Sequence, residues 1–272
     1  PPSMGVDPLS AIPLLVTYGR GDASRYTAAS CVVVDNHIRV RCLTAPGVGK
    51  GHSWKLTVGG QTSTILKAGT SYAPPAITEY FGPGASSALT HGGQHVLISG
   101  RNFGSAAEDH VYNIIDNATY TDASQVLYTD VWTAHFCFVQ KDHVLINCTT
   151  GVGVGKELAW TIVIDGQVSE QATTAYGIPV IKNIVGRNGN ADLVEKGITD
   201  GGEHVQLIGE NFGPSGTSYL ESVKYGKSGS EYDVKNCVCI DHNKINCVMP
   251  PGIGASLVWT VKVQGQESFT SS

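Results

Sequence analysis

The sequence predicts an all-β chain of repeated sandwiches or barrels, and three observations carry that prediction. A cysteine-led skeleton is written three times, alternating apolar residues follow each copy, and no segment shows the sustained i, i+3, i+4 apolar spacing with caps that a helix needs. The copies are "CLTAPGVGKGHSWKLTVGGQTS" from Cys42, "CTTGVGVGKELAWTIVIDGQVS" from Cys148 and "CVMPPGIGASLVWTVKVQGQES" from Cys247. Gly, Gly, Trp, Gly and Gln keep one spacing: Gly47, Gly49, Trp54, Gly60 and Gln61; Gly153, Gly155, Trp160, Gly166 and Gln167; Gly252, Gly254, Trp259, Gly265 and Gln266.

Each element of the repeat has its own warrant. Ahead of the skeleton, "CVVVDNHIRVRC", "CFVQKDHVLINC" and "CVCIDHNKINC" set a polar tip between β-rich arms, which is hairpin chemistry. Pairing the flanking cysteines predicts a two-residue loop, Asn36-His37, in the first hairpin and a three-residue loop, Asp241-His242-Asn243, in the third. The cysteines then face each other across adjacent strands, so three disulfides are expected: Cys31 with Cys42, Cys137 with Cys148, Cys237 with Cys247. Their separation is too wide for the close Cys knuckles of a zinc site. Cys239 is left over, either as a buried thiol or as an intermolecular bridge. After the glycine-rich turn, Trp54-Leu56-Val58, Trp160-Ile162-Ile164 and Trp259-Val261-Val263 alternate as strands with one buried face. The tryptophans read as core; the sharper alternative is a platform for sugar rings.

Composition bounds the class. Of 272 residues, 33 are glycine and 12 proline, 41% are hydrophobic and only 15% charged, which describes ordered, turn-rich material sufficient for two or three small cores. The net charge of -5 and singly scattered Lys and Arg exclude a phosphate-neutralising stripe, so no nucleic-acid partner is expected. No apolar run reaches the roughly 18 residues of a membrane span. The opening "PPSMGVDPLS" has no leader pattern and reads as a mature chain or an excised piece. Paired cysteines imply an oxidising compartment, extracellular or at a cell surface.

Upstream blocks recur as well: "PAITEYFGPG" with "GGQHVLISGRNFG", and "PVIKNIVGRNG" with "GGEHVQLIGENFG". With the Gly-x-Asn-Phe-Gly segments at Gly100–Gly104 and Gly209–Gly213 and the C-x-x-P-P-G-x-G run from Cys247 to Gly254, this ordered set resembles the IPT/TIG family of immunoglobulin-like domains. The resemblance implies tandem β-sandwiches of roughly 90 to 100 residues, as in cell-surface receptors, microbial surface proteins and some transcription factors. It divides the chain into a partial unit at 1–71 and two complete units at 72–175 and 176–272.

The first unit departs from the pattern. Pro2 to Cys31 spans 29 residues, against 62 from Pro75 to Cys137 and 58 from Pro179 to Cys237. The strand block Val96–Gly100, or Val205–Gly209, has no counterpart there. A sandwich lacking an interior strand exposes unpaired backbone and apolar side chains. A segment of a neighbouring copy, or of the same longer chain, is expected to pair there, with Pro1–Ser10 or Ser268–Ser272 as candidate donors.

Chemistry-bearing motifs are sparse. His37, His143 and His242 occupy the three hairpin tips, while His95 and His204 share one strand position, so they follow the fold rather than gather at a metal. "PGVGKG" lacks the spacing of a phosphate loop, and Asn188-Gly189-Asn190-Ala191-Asp192 lacks the bidentate Glu of a calcium loop. No catalytic constellation or cofactor motif is visible, and no enzyme is expected. Asn117-Ala118-Thr119 and Asn147-Cys148-Thr149 are N-glycan acceptor sequences, the former expected on an exposed excursion. The runs "TSTILKAGTSYAPP" and "SEQATTAYGIP" read as interdomain linkers that could carry O-glycans.

Three functions fit these readings: a structural or adhesive surface protein whose units string into a rod or filament, a ligand-recognising ectodomain, or a carbohydrate-binding accessory module. The first is preferred. Placing "QGQESFTSS" before "PPSMGV" reproduces the register of "GGQTSTILKAGTSYAPPAITEY", as a self-associating array would require.

Overall fold

The computed structural model describes residues 13–122, 131–169, 173–186 and 197–269. The candidate donors Pro1–Ser10 and 270–272 lie outside them, as does the Asn188–Asp192 turn. The chain is all-β, a tandem of immunoglobulin-like sandwiches.

The first set of strands is β1 (Leu14–Gly19), β2 (Tyr26–Thr27), β3 (Ala29–Asp35), β4 (Arg39–Leu43), β5 (His52–Val58), β6 (Gln61–Thr62) and β7 (Leu66–Thr70). The second comprises β8 (Ala76–Phe81), α1 (Pro83–Ser86), β9 (His95–Arg101), α2 (Ala106–Tyr112), β10 (Ile115–Asp122), β11 (Val131–Thr133), β12 (His135–Lys141), β13 (Leu145–Thr149), β14 (Leu158–Ile164), β15 (Gln167–Val168) and β16 (Thr173–Thr174). The third is β17 (Val180–Gly186), β18 (His204–Glu210), β19 (Leu220–Gly226), β20 (Tyr232–Val234), β21 (Val238–Asp241), β22 (Lys244–Val248), β23 (Val258–Val263) and β24 (Gln266–Glu267).

In the second set a sheet of order β12-β13-β9-β8 packs on one of order β11-β10-β14-β15, with β16 also on β14; the third set repeats this as β17-β18-β22-β21 and β20-β19-β23-β24. All pairings between these strands are antiparallel, the layout of A-B-E-D against C-F-G strands in an immunoglobulin sandwich. The first set has the C-F-G sheet, β2-β1-β5-β6 with β7, but its other sheet holds only β3 and β4. Nothing among the described residues occupies the place of β9 or β18 beside β4.

The alternating Trp strands face inward as their period requires. Trp160 and Trp259 are buried and Trp54 half-buried, each stacked on the tyrosine of the neighbouring strand: Trp54 on Tyr18 at 4.3 Å, Trp160 on Tyr120 at 4.4 Å, Trp259 on Tyr225 at 4.7 Å. Trp160 Nε1 donates to Thr174 Oγ1 and Trp54 Nε1 to Thr70 Oγ1. These rings pack on the cores of their units, Trp160 and Trp259 wholly and Trp54 in part. The three disulfides are present, Cys31–Cys42, Cys137–Cys148 and Cys237–Cys247. The residue before each first cysteine, Ser30, Phe136 or Asn236, has a left-handed backbone, and in the first two hairpins it falls at a register shift of the hairpin pairing. Cys239 is a buried thiol, its pKa pushed up to about 11 chiefly by burial.

Several local expectations need correction. Asp35 pairs with Arg39, so the first hairpin loop is Asn36-His37-Ile38, closed by Ile38 N–H donating to Asp35 O, with His37 at φ 63°. The third loop is shorter than expected, His242-Asn243, because Asp241 pairs with Lys244. Both differences arise from a one-residue register shift before the tip that cysteine spacing alone does not reveal. Neither supposed linker is only a linker, since Leu66–Thr70 and Thr173–Thr174 return as strands beside β5 and β14. The helix α2 also stands where none was expected; Ser105 Oγ accepts from Glu108 N–H at 3.1 Å and caps it.

Candidate assembly surface

The two joints between units use one device, built from the glycine-rich loop that follows each second cysteine. At Gly47 a Cβ would lie 2.6 Å from the Tyr26 ring, and at Gly49, φ 97°, it would lie 1.9 Å from the Asp165 carboxylate. Only glycines let the loop press that closely. The residue between them, Val48, is pushed out of its own unit into the next. It is 2% exposed and belongs to the core that contains Phe103, Ile114 and Trp160. Its socket is Gly104, where a Cβ would stand 2.8 Å from Val48 Cγ1. Val154 repeats this at the second joint: it is 1% exposed, lies in the core with Phe212 and Trp259, and a Cβ on Gly213 would be 2.6 Å from its Cγ1. The repeated Gly-x-Asn-Phe-Gly segments are therefore the sockets of valine knobs.

Polar contacts lock each knob. At the first joint Gly49 N–H donates to Gln167 Oε1 at 3.1 Å, and Gln167 Nε2 donates to Tyr72 O at 2.8 Å. Gln266 Nε2 makes the matching bond to Tyr176 O at 2.9 Å. Tyr72 and Tyr176 are tied back to their own loops by N–H bonds to Gly49 O and Gly155 O. The first joint adds charge: Arg25 stands 2.7 Å from Glu108 and 3.0 Å from Asp165, Arg20 lies 2.8 Å from Asp165, and Tyr26 O–H donates to Glu108. The Arg25 guanidinium also covers the Tyr112 ring at 4.6 Å. The second joint is less charged, with His242 Nδ1 2.8 Å from Thr90 Oγ1 and Trp132 against Tyr219 at 5.5 Å.

The third copy of the loop has no following unit among the described residues. Ile253, at the position of Val48 and Val154, is 74% exposed. At the opposite end Gln61, at the position of Gln167 and Gln266, is exposed as well. Both positions therefore lack a neighbouring unit among the described residues, and the first unit carries no described counterpart of the Gly104 or Gly213 socket.

Of the residues singled out from sequence, the six disulfide cysteines stand at the D–E hairpins and not at the joints. Asn117 lies on the interior strand β10 rather than on an excursion, its side chain exposed; Asn147 lies half-buried on β13, 3.1 Å from His95 Nδ1. Among the histidine tips, His242 reaches across a joint with its side chain, to Thr90. Glu108, Asp165 and Arg25 were missed, although the Ser105-x-x-Glu108 spacing was a cap signal. Among the described residues no three His, Cys, Asp or Glu side chains are grouped to hold a metal, and no helix is long and apolar enough to cross a membrane.

No protein-family model matches the chain, and no curated protein matches it in sequence. Among solved structures it is similar to the surface glycan-binding protein SGBP-B of Prevotella bryantii, with 15% identity and a TM-score of 0.41 over 74% of this chain and 42% of that one. It is also similar to SGBP-B from a xyloglucan utilization locus of Bacteroides uniformis (16% identity, TM-score 0.26, 72% and 48%) and to the Escherichia coli adhesin FdeC (14%, 0.26, 92% and 81%). The chain spans about half the length of the glycan-binding structures it matches. The immunoglobulin-like class rests on the chain's own sheets, and the three disulfides fit an extracellular protein.

The knobs yield two predictions. Val154→Ala removes two buried methyl groups and costs about 2 kcal/mol in urea unfolding of the third unit, whereas Ile253→Ala at the equivalent exposed site changes it by less than about 0.5 kcal/mol. Equal effects would show that the valine is not a knob. The second concerns pH. Burial, and then the neighbouring His91, hold His242 below its ordinary value of 6.5, and burial does the same to His52. Below that value the unfolded chain binds protons that the folded chain refuses, so stability falls as pH drops through 6.5 toward the lowered folded values and then levels off. Urea midpoints measured from pH 7.5 to 5 should show this fall, and His242→Gln should shrink it; a flat profile would contradict it.

Proposed function

We propose that this chain is a non-enzymatic structural protein of the extracellular surface, an array of IPT/TIG-like units that continues head to tail as a rod or filament. The observation that carries the reading is the repeated joint. Two valine knobs are seated inside the molecule, and Ile253 holds the same place in a third copy of the loop, exposed among the described residues as is Gln61. A joint made by the loop of one unit and the socket and glutamine of the next is heterologous, and repetition of such joints extends into open assemblies unless a ring closes. Rods also need joints that resist bending, and these joints place a side chain of one unit in the core of the next. The burial of Trp160 and Trp259 and the stacking of the half-buried Trp54 on Tyr18 weigh against an aromatic platform for the carbohydrate-binding alternative at the repeated positions. N-linked glycan on Asn117 belongs to the same reading, because the side chain stands exposed on the outer face of its sheet.

Ile253→Asp leaves the fold intact, since the side chain is exposed, and abolishes assembly of the native chain in sedimentation velocity and electron microscopy. Assembly indistinguishable from that of the unmodified chain would refute the reading. Glycopeptide mass spectrometry of native material should find Asn117 more fully occupied than Asn147, whose amide is half-buried beside His95. Bare Asn117 would count against the glycoprotein assignment.

A further inference from the structure

We propose that the outer face of the second unit is a seat for sugar: Phe138 and Phe81, in one row with Asn147, support the first ring of an N-linked glycan on that asparagine. Three strand pairings set the row. Phe81 stands opposite Leu97, Leu97 opposite Asn147, and Asn147 opposite Phe138, and residues paired across antiparallel strands share a face. That face is the outer one, because the alternate residues Val96, Val139, Ile146 and Cys148 are buried in the core. Phe138 is 46% exposed and Phe81 39%. Beside them Phe136 is 85% exposed, its ring 6.4 Å from that of His135, which pairs with Thr149.

Phenylalanines lined up on the open side of a sheet leave an apolar patch in water, and such a patch marks a contact. The residue at its centre says with what. Asn147-Cys148-Thr149 is the acceptor pattern, and it occurs in the unit where the facing residue is aromatic. In the third unit the matching pair is Asn246 with Val238, the run Asn246-Cys247-Val248 is no acceptor, and Asn246 is bonded to Gln206. In the first unit Arg41 faces Val32. A protein partner on this face would have to bury the Asn147 carboxamide, which is costly. A sugar ring joined to that carboxamide offers its C–H face to the phenylalanines and keeps its hydroxyls in water.

The amide is already turned for it. His95 Nδ1 lies 3.1 Å from Asn147 Oδ1 and donates to it. The sheet order is β12-β13-β9-β8, so this bond holds the oxygen toward β9 and the nitrogen toward β12, the strand of Phe138. In attachment, Asn147 Nδ2 bonds to the anomeric carbon of a lipid-pyrophosphate-linked oligosaccharide, the bond from that carbon to the pyrophosphate oxygen breaks, the lipid pyrophosphate leaves, and Nδ2 gives up one proton. Oδ1 takes no part, so the modified side chain keeps its acceptor for His95. This inference rests on the glycoprotein reading above. The lower occupancy expected of Asn147 concerns how often the sugar is added, not where it lies.

The test is hydroxyl-radical footprinting of the full chain, secreted from a glycosylating eukaryotic host, against Thr149→Ala, which removes the acceptor and leaves Asn147, His95 and the phenylalanines in place. Glycopeptide mass spectrometry first identifies the chains that carry sugar on Asn147. In these Phe138 should oxidise about twofold or more slowly than in Thr149→Ala, as when one face of a ring is taken from solvent, while the exposed Phe269 reacts equally in both. Sugar on Asn147 should also raise the folding constant of the second unit about two- to tenfold, the range of a single aromatic contact, and Phe138→Ser should remove that gain. Equal oxidation of Phe138 in the two chains would overturn the platform and leave the glycoprotein reading standing; if it is slow in both, a second copy covers the face. A chain bare at Asn147 but modified at Asn117 overturns the platform alone, and one bare at both overturns the glycoprotein reading with it.

Discussion

The structure depends on a small hydrophobic side chain held in a place where only glycines permit it. Val48 and Val154 leave their own sandwiches because the loop that carries them turns at Gly49 (φ 97°) and Gly155 (φ 105°), and they enter the next sandwich because Gly104 and Gly213 have no Cβ to exclude them. This explains why one skeleton is written three times. Its Trp is the stacked core of its own unit, its glycines form the knob loop, and its Gln reaches back to the unit before. A single sequence pattern thus encodes the inside of a unit and the joint on both sides of it.

Domains in tandem normally move relative to one another, because the interfaces between them are small and polar. Here hinge motion would withdraw a buried valine at about 1.5–3 kcal/mol and break the glutamine bonds at the same moment. The first joint would also have to separate Arg25 from Glu108 and Asp165, all three only slightly exposed. Charges sealed that far from water contribute little net affinity against their desolvation, yet leaving one of them unpaired costs several kcal/mol. The ionic part therefore defines the orientation of the joint, and the valine supplies its adhesion.

Much of this was legible in the sequence, and what was not has identifiable causes. Period-two alternation, the flanking glycines and the spacing of six cysteines fixed strands and disulfides, because those signals are local. The return of Leu66–Thr70 to β5 was hidden by a Ser/Thr-rich composition that looks like linker, although Thr70 is there to accept from the Trp54 indole. The hairpin tips were misjudged by one residue since a bulge changes register without changing composition. Glu108 was overlooked because its importance comes from Arg25 and Tyr26, more than eighty residues distant in sequence. Nothing in a local window could show that pairing.

The first unit shows the same rules at work on a strand that has a partner on only one side among the described residues. A sandwich that has evolved to live with an open edge blunts it with proline, with bulges, or with charges turned inward. The β4 strand, Arg39–Leu43, has none of these on its inner side: its charges, Arg39 and Arg41, alternate with Val40 and Cys42, which face the core as Ile146 and Cys148 do. The register shifts of its hairpin fall on β3, the strand away from the open edge. The edge is therefore shaped for pairing rather than protected from it. Charge on the outer face then limits which strands can approach, admitting one that answers Arg41 and opposing one that repeats its sign. An edge that is both receptive and selective takes a covering strand in one register without pairing with every other exposed strand.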